Sequence, residues 1–221
     1  MPDAPGYLEP YENAVREQGA TWGAQLWKSP EAQSARFAVA CELAGIGPGG
    51  GVRTIADIGC GRADLAAFIA EKGFVRGPYL GVEGVPELAQ AARGRAAESG
   101  WPDCTILQGD FVADADLPAR LVREHGVDAF VFSGALNTLE QDAAIETLAR
   151  FWNAISGRGV LVFNFLPTKR DPLPPAPGDP ARRFDAEAAL AWALAQHPSV
   201  RYRRDYLGDH DATIAIGSTS A

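Results

Sequence analysis

Five short apolar runs punctuate the chain, at residues 54–58, 79–82, 105–107, 127–133 and 159–165. Each is of strand length and each ends in a polar or glycine-bearing turn. Between or beside them the apolar positions change to helical spacing. Leu65, Phe68 and Ile69 fall at i, i+3 and i+4, with Gly73 placed to end that helix. Pro86 suits a first helical turn ahead of Leu88, Ala91 and Ala92. Residues 141–155 put Ala144, Leu148, Phe151 and Ile155 on one face. Strands alternating with helices predict a parallel sheet covered on both sides. The rhythm changes after a helix predicted over 181–196. There "SVRYRRDYL", a polar "GDHD" and "ATIAIG" form a hairpin pattern, which adds an antiparallel strand. The expectation is an α/β fold: a Rossmann-like, doubly wound, seven-stranded sheet, mostly parallel, closed by an antiparallel C-terminal hairpin strand.

Two stretches lie outside that core. Residues 1–50 carry two helical patterns and end in the glycine-rich "GIGPGGGV", a flexible connection. Ser29-Pro30 supplies a cap and a first-turn proline for a helix running to about Ala44. Residues 1–50 are therefore expected to form a helical lid segment and residues 51–221 the α/β domain. The second stretch, "DPLPPAPGDPA" at 171–181, is expected to be a stiff surface loop.

Composition narrows the function. Of the 221 residues 47% are apolar and 22% charged, ordinary values for a globular chain long enough to bury a full core. A net charge of −8 argues against a broad nucleic-acid or anionic-membrane footprint. The arginines at 182–183 and at 201, 203 and 204 are balanced by Asp179, Asp185 and Asp205. Three cysteines without a C-x-x-C pair predict no disulfide framework, and three scattered histidines show no zinc spacing. No leader pattern opens the chain and no run approaches membrane-spanning length. A cytoplasmic protein without a metal is expected; the sequence is silent on oligomeric state.

Ligands of doubly wound sheets bind at the carboxyl ends of the strands, so the turn Gly59-Cys60-Gly61 after the first strand is the place to look. A dinucleotide fingerprint requires G-x-G-x-x-G, but the last position here is Asp64, and Asp57 precedes the first glycine by two residues. Two anions around the turn would repel a pyrophosphate, even with a helix N-terminus behind it, and suit a ligand that carries a cation. Glu83, with Gly84 beside it, ends the second strand 22 residues beyond Gly61, where an acid accepts from both ribose hydroxyls. Asp110 follows the third strand, placed to accept from an adenine amino group, and Phe111 offers an apolar wall.

Taken in order, "IADIGCGRADLAAFIAEKG", "YLGVEGVPELAQAAR", "LQGDF" and "VDAFVFSGALNTL" resemble the class I S-adenosylmethionine-dependent methyltransferases over about residues 52–166. The family's D-x-G-C-G-x-G stands here as Asp57-x-Gly59-Cys60-Gly61-x-Ala63, an alanine replacing the last glycine. Glu83 matches the family's acidic position after the second strand and Asp110 its adenine-edge acid. The resemblance implies S-adenosyl-L-methionine as cofactor, whose ammonium and sulfonium fit the acidic turn. "LWKSPEAQSARF" and "SGALN" are similar to a little-characterised bacterial small-molecule-type subgroup.

Ser29, Gln33 and Arg36 form a polar stripe at i, i+4 and i+7. It is either a solvated face or a site where Gln33 or Arg36 reaches the methionyl carboxylate, with Trp27 nearby. Tyr7, Tyr11 and Trp22 are lid candidates, or ordinary packing. A sulfonium methyl is already an activated electrophile, so the protein mainly aligns a nucleophile and excludes water. Ser133, Gly134 and Asn137, after the fourth strand, are the candidates to position it, as cofactor wall (Ser133, Gly134) and as catalytic positioning groups (Ser133, Asn137). Asp209, His210, Tyr202 and Tyr206 are candidate bases by composition. The leading expectation is methyl transfer to a small molecule. Two alternatives stand beside it: intramolecular cyclisation or cleavage of the aminobutyrate arm with release of methylthioadenosine, and binding without turnover.

Overall fold

The structure, a computed structural model, describes residues 6–48, 50–51, 53–74, 76–101, 103–155, 157–168 and 179–218. Seven strands form one sheet: β1 (Ile55–Ile58), β2 (Tyr79–Glu83), β3 (Cys104–Gln108), β4 (Ala129–Phe132), β5 (Val160–Phe165), β6 (Val200–Arg203) and β7 (Ala212–Gly217). Their order is β3-β2-β1-β4-β5-β7-β6. β3, β2, β1, β4 and β5 pair in parallel, and β7 runs antiparallel to both β5 and β6. The switch point lies between β1 and β4, which places the Gly59–Gly61 turn at the crevice where strand order reverses.

The helices are α1 (Glu9–Gln18), α2 (Pro30–Ala44), α3 (Asp64–Glu71), α4 (Pro86–Ser99), α5 (Leu117–His125), α6 (Gln141–Ile155) and α7 (Ala186–Gln196). The central strands are buried on both faces, and the period-two alternation sorts their side chains between two cores. Phe130, Phe132, Phe163 and Phe165 enter the core under α5, α6 and α7. Ala129, Val131, Val160 and Val162 enter the opposite core with α2 and α3. Asp57, Asn164 and Thr213 share the parity of that second set, so the α2 face carries the sheet's buried polar groups. A third, small cluster joins Ala14 and Val15 of α1 to Ala24, Val85 and Leu88.

Local chemistry accounts for the ends. Ser29 Oγ accepts from the Ala32 N–H at 3.1 Å, Pro30 occupies the first turn of α2, and Gly45 ends it in the left-handed region at φ 72°. Ile46, in the glycine-rich connection, is buried rather than loose; residues 49 and 52 lie outside the described residues. The helix predicted from 181 begins only at Ala186. Residues 182–184 stay extended because Phe184 N donates to Leu166 O and Thr168 N to Phe184 O, both at 2.8 Å. Asp185 then caps α7 through the N–H groups of Glu187 and Ala188. Of the proline-rich loop, 171–178 lie outside the described residues. No helix among the described residues is long and apolar enough to cross a membrane.

Candidate active site

A cavity of about 400 Å³ opens at the carboxyl ends of β1, β2 and β4. The glycine turn forms its floor. Gly59 N and Cys60 N both donate to Val82 O, at 2.8 and 3.0 Å, and Gly61 N donates to Glu83 Oε2 at 2.7 Å. The turn is thus bound to the end of β2 at three points. Gly59 and Gly61 lie at φ 72° and 55°; a Cβ on the first would stand 2.6 Å from the Ala135 Cβ, and on the second 2.0 Å from Gln25 Oε1. Both positions require glycine for conformation and for space. Ala63, where the family pattern has its last glycine, holds a left-handed conformation at φ 57° as the residue before α3.

Two carboxylates face this floor. Glu83 is buried, one oxygen on Gly61 N and the other on Val85 N at 2.9 Å. Burial holds its pKa above the ordinary carboxylate value, opposed by those backbone donors. Asp57 is also buried and accepts from the Tyr79 hydroxyl at 2.5 Å. Burial first, and the neighbouring Glu83 charge after it, push its pKa up to about 7 against the Tyr79 bond. Neither acid has a cation partner among the described residues. Asp64 differs from the expectation. It is tied to Arg95, Gln25 and Gln33 and does not line the cavity. The acidic character of the site comes from Asp57 and Glu83, not from Asp57 and Asp64.

Residues 7–28 supply one wall, through Tyr7, Tyr11, Gln25 and Trp27. The Tyr7 hydroxyl donates to Asp110 Oδ1 at 2.6 Å, and its ring meets Phe111 edge-on at 5.6 Å. Asp110 is not a cavity-lining residue: the same oxygen caps the N–H groups of Val112 and Ala113. Phe111 and Gly84 do line it. Trp22 stands behind the wall, its Nε1 donating to Gln33 Oε1 at 2.8 Å. Trp27 packs against Gly134 and beneath the Arg36 guanidinium, 4.8 Å from ring to Arg36 Cζ.

The polar stripe on α2 is not solvated. Gln33 and Arg36 are both buried and both line the cavity. Arg36 Nε lies 2.5 Å from Oδ1 of Asp211, which is fully buried. Asn164 Nδ2 reaches the same oxygen at 3.3 Å, and Asn164 Oδ1 accepts from Gly134 N at 2.6 Å. His210 Nδ1 contacts Asp211 Oδ2 at 3.0 Å. One network therefore joins the end of β4, β5, the start of β7 and α2. Of the four candidate bases only His210 lines the cavity: Tyr206 pairs with Thr213, Asp209 with Arg204, and Tyr202 is exposed. Ser133 Oγ and Asn137 Oδ1 are buried cavity-wall atoms without a hydrogen-bond partner.

Gln25, Asn164 and Asp211 had no signal in the sequence, because each acts through a partner distant along the chain. Gln25 bridges Asp64 and the Arg62 N–H across the glycine turn.

A methyltransferase domain model matches residues 55–159, which run from β1 to the threshold of β5 and include the glycine turn, Glu83 and Ser133. Residues 55–159 are a methyltransferase domain. The strand order with its antiparallel β7 is that of this methyltransferase fold. Its cofactor is S-adenosyl-L-methionine. The methyltransferase is similar to mitomycin 7-O-methyltransferase MmcR, at 20% identity and TM-score 0.57, over 96% of this chain and 67% of that one. It is similar to the glycopeptide N-methyltransferase MtfA, solved with S-adenosylmethionine, at 14% identity and TM-score 0.55, over 81% and 85%. A third likeness is to the small RNA methyltransferase HEN1, at 15% identity and TM-score 0.62, over 86% of this chain and 25% of that one. At these identities the likeness is one of fold. No curated protein matches the sequence.

Proposed function

We propose that the protein transfers a methyl group from S-adenosylmethionine to a small-molecule acceptor. The observation that carries this reading is the enclosed β4 end: Ser133 Oγ and Asn137 Oδ1 are buried without partners, beneath a wall made by the chain's own residues 7–28. Buried polar groups left unpaired are sites that a ligand satisfies. A net charge of −8 weighs against nucleic acid as substrate, although HEN1 acts on RNA. MmcR and MtfA, by their names, methylate a mitomycin and a glycopeptide.

The wall fits the cofactor. Gly59, Cys60 and Gly61 let the backbone come close, Glu83 takes ribose hydroxyls, and Phe111 with Gly84 frames the adenine. Asp110 acts there through Tyr7 rather than directly. Asp57 faces the ammonium group; Arg36, Gln33 and Trp27 bound the methionyl end. When bound, the cofactor supplies a methyl group already activated by its sulfonium. Ser133, Gly134 and Asn137 then hold the acceptor in line, and residues 1–50 act as a lid that excludes water.

The test is to incubate the protein with S-adenosylmethionine alone, then with small metabolites, total RNA or folded protein, and to identify the nucleoside product. S-adenosylhomocysteine appearing only with small metabolites is expected. Methylthioadenosine from the cofactor alone, or robust turnover on RNA or protein, would overturn the reading.

A further inference from the structure

The cavity wall is divided by charge. Its acids at the floor are Asp57 and Glu83, at the ends of β1 and β2, whereas its basic groups, Lys28, Arg36, Arg183 and His210, stand on the side of β5, β7 and the start of α2. A smaller adjoining cavity of about 220 Å³ shares Lys28, Arg36 and His210. Arg36 is neutralised by Asp211. Lys28 and Arg183 are not: no carboxylate among the described residues forms an ion pair with Lys28, and Arg183 Nη1 donates to the neutral Pro167 carbonyl at 3.1 Å. The acid on that side of the cavity, Asp179, caps the Ala181 N–H.

Resting on the methyl-transfer reading, we infer that the acceptor is a small organic anion, its carboxylate or phosphate held between Lys28 and Arg183. Besides its sulfonium, the cofactor carries one ammonium and one carboxylate. Asp57 meets the first, Glu83 takes the ribose hydroxyls and the Gln33–Arg36 stripe bounds the second, so two cations remain with nothing of the cofactor to face. Unpaired cations in a cleft focus their field on the space between them and raise the local concentration of anions. Ser133 Oγ adds a buried, unpaired donor to the wall of the same cavity. The His210 imidazole, its Nδ1 on Asp211 Oδ2, lines both cavities on the same side.

Isosteric probes test this without knowing the acceptor. Benzoate, phenyl phosphate, benzamide and benzylamine are titrated into the protein, with and without saturating S-adenosylhomocysteine. Benzoate and phenyl phosphate should bind about five- to tenfold more tightly than benzamide, the effect of two partly exposed charge contacts, and benzylamine more weakly still. The preference should shrink with added salt and vanish in the double variant Lys28→Gln/Arg183→Gln, while S-adenosylhomocysteine binds that variant as it binds the parent. Benzoate binding no tighter than benzamide, including no binding of either, overturns the inference, as does a preference that survives the double substitution. Loss of S-adenosylhomocysteine binding in the parent overturns the methyl-transfer reading instead, because the anion preference is also read without it.

Discussion

Arg36 Nε on α2 and Asp211 Oδ1 at the foot of β7 stand 2.5 Å apart in a buried ion pair, joining residues 175 positions apart. Removing one partner leaves the other charged and buried, which typically costs about 3–5 kcal/mol. Arg36→Gln is therefore expected to lose that order of unfolding free energy in a denaturant titration, with Arg36→Lys losing less because it keeps the positive charge. The double variant Arg36→Gln/Asp211→Asn should recover part of the loss. An Arg36→Gln protein as stable as the parent would show that the pair contributes nothing.

Glu83 joins the glycine turn to the end of β2, so its replacement acts on the ligand and on the floor that holds it. Glu83→Ala should weaken S-adenosylmethionine binding by about one to two decades, the worth of a charge-assisted hydrogen bond. Glu83→Gln retains an acceptor for Gly61 N and should be the more stable of the two. Calorimetric affinity and thermal unfolding measured on both variants separate the two effects.

The sheet and its first turn are legible in the sequence for a physical reason. The parallel strands are apolar on both faces, so their runs are unbroken, and the turn after β1 must carry glycines whose positions nothing else fills. Glu83 at the end of β2 and Ser133 just after β4 stand out as candidates because doubly wound folds bind ligands at strand ends. What was missed depends on distance along the chain. Asp64 looks like a bare anion until Arg95 and Gln25 are placed beside it. Asp211 looks like part of a polar hairpin turn until Arg36, Asn164 and His210 converge on it. The stripe on α2 allowed a solvated face because spacing does not reveal which neighbour covers it. The start of α7 slipped by five residues because Leu166 and Thr168 hold 182–184 extended.

A pH dependence follows from Asp57. Its pKa is raised from 3.8 to about 7 by burial and by Glu83. A group protonated more readily in the folded state contributes stability below about pH 4 that is lost as pH rises towards 7. Binding of a cationic ligand favours the ionised form, so the sign for affinity is opposite. S-adenosylmethionine should bind about tenfold more tightly at pH 8 than at pH 6, releasing a proton at the lower pH. Calorimetry in buffers of different ionisation enthalpy reads that proton, and Asp57→Asn should abolish both the release and the pH slope.

The N-terminal wall is pinned by Tyr7 to Asp110 and by Gln25 to Asp64, and packs through Ala14 and Val15 on Val85 and Leu88. That cluster is separate from the two that cover the sheet. Deleting residues 1–20 should leave the sheet folded, abolish turnover and reduce cofactor affinity less, since Gln25, Trp27 and α2 remain. Circular dichroism together with turnover measures both halves. A truncated protein with full activity would remove the lid from the account.

The central claim is that an acid-faced glycine turn, built from Asp57, Glu83 and Gly59–Gly61, selects a cationic adenosyl ligand over a pyrophosphate. Calorimetric titration of the purified protein with S-adenosylmethionine and with NAD tests it most directly. Saturable one-to-one binding of S-adenosylmethionine, weakened by Glu83→Ala, and no signal from NAD are expected. Tight binding of NAD with no response to S-adenosylmethionine would contradict it.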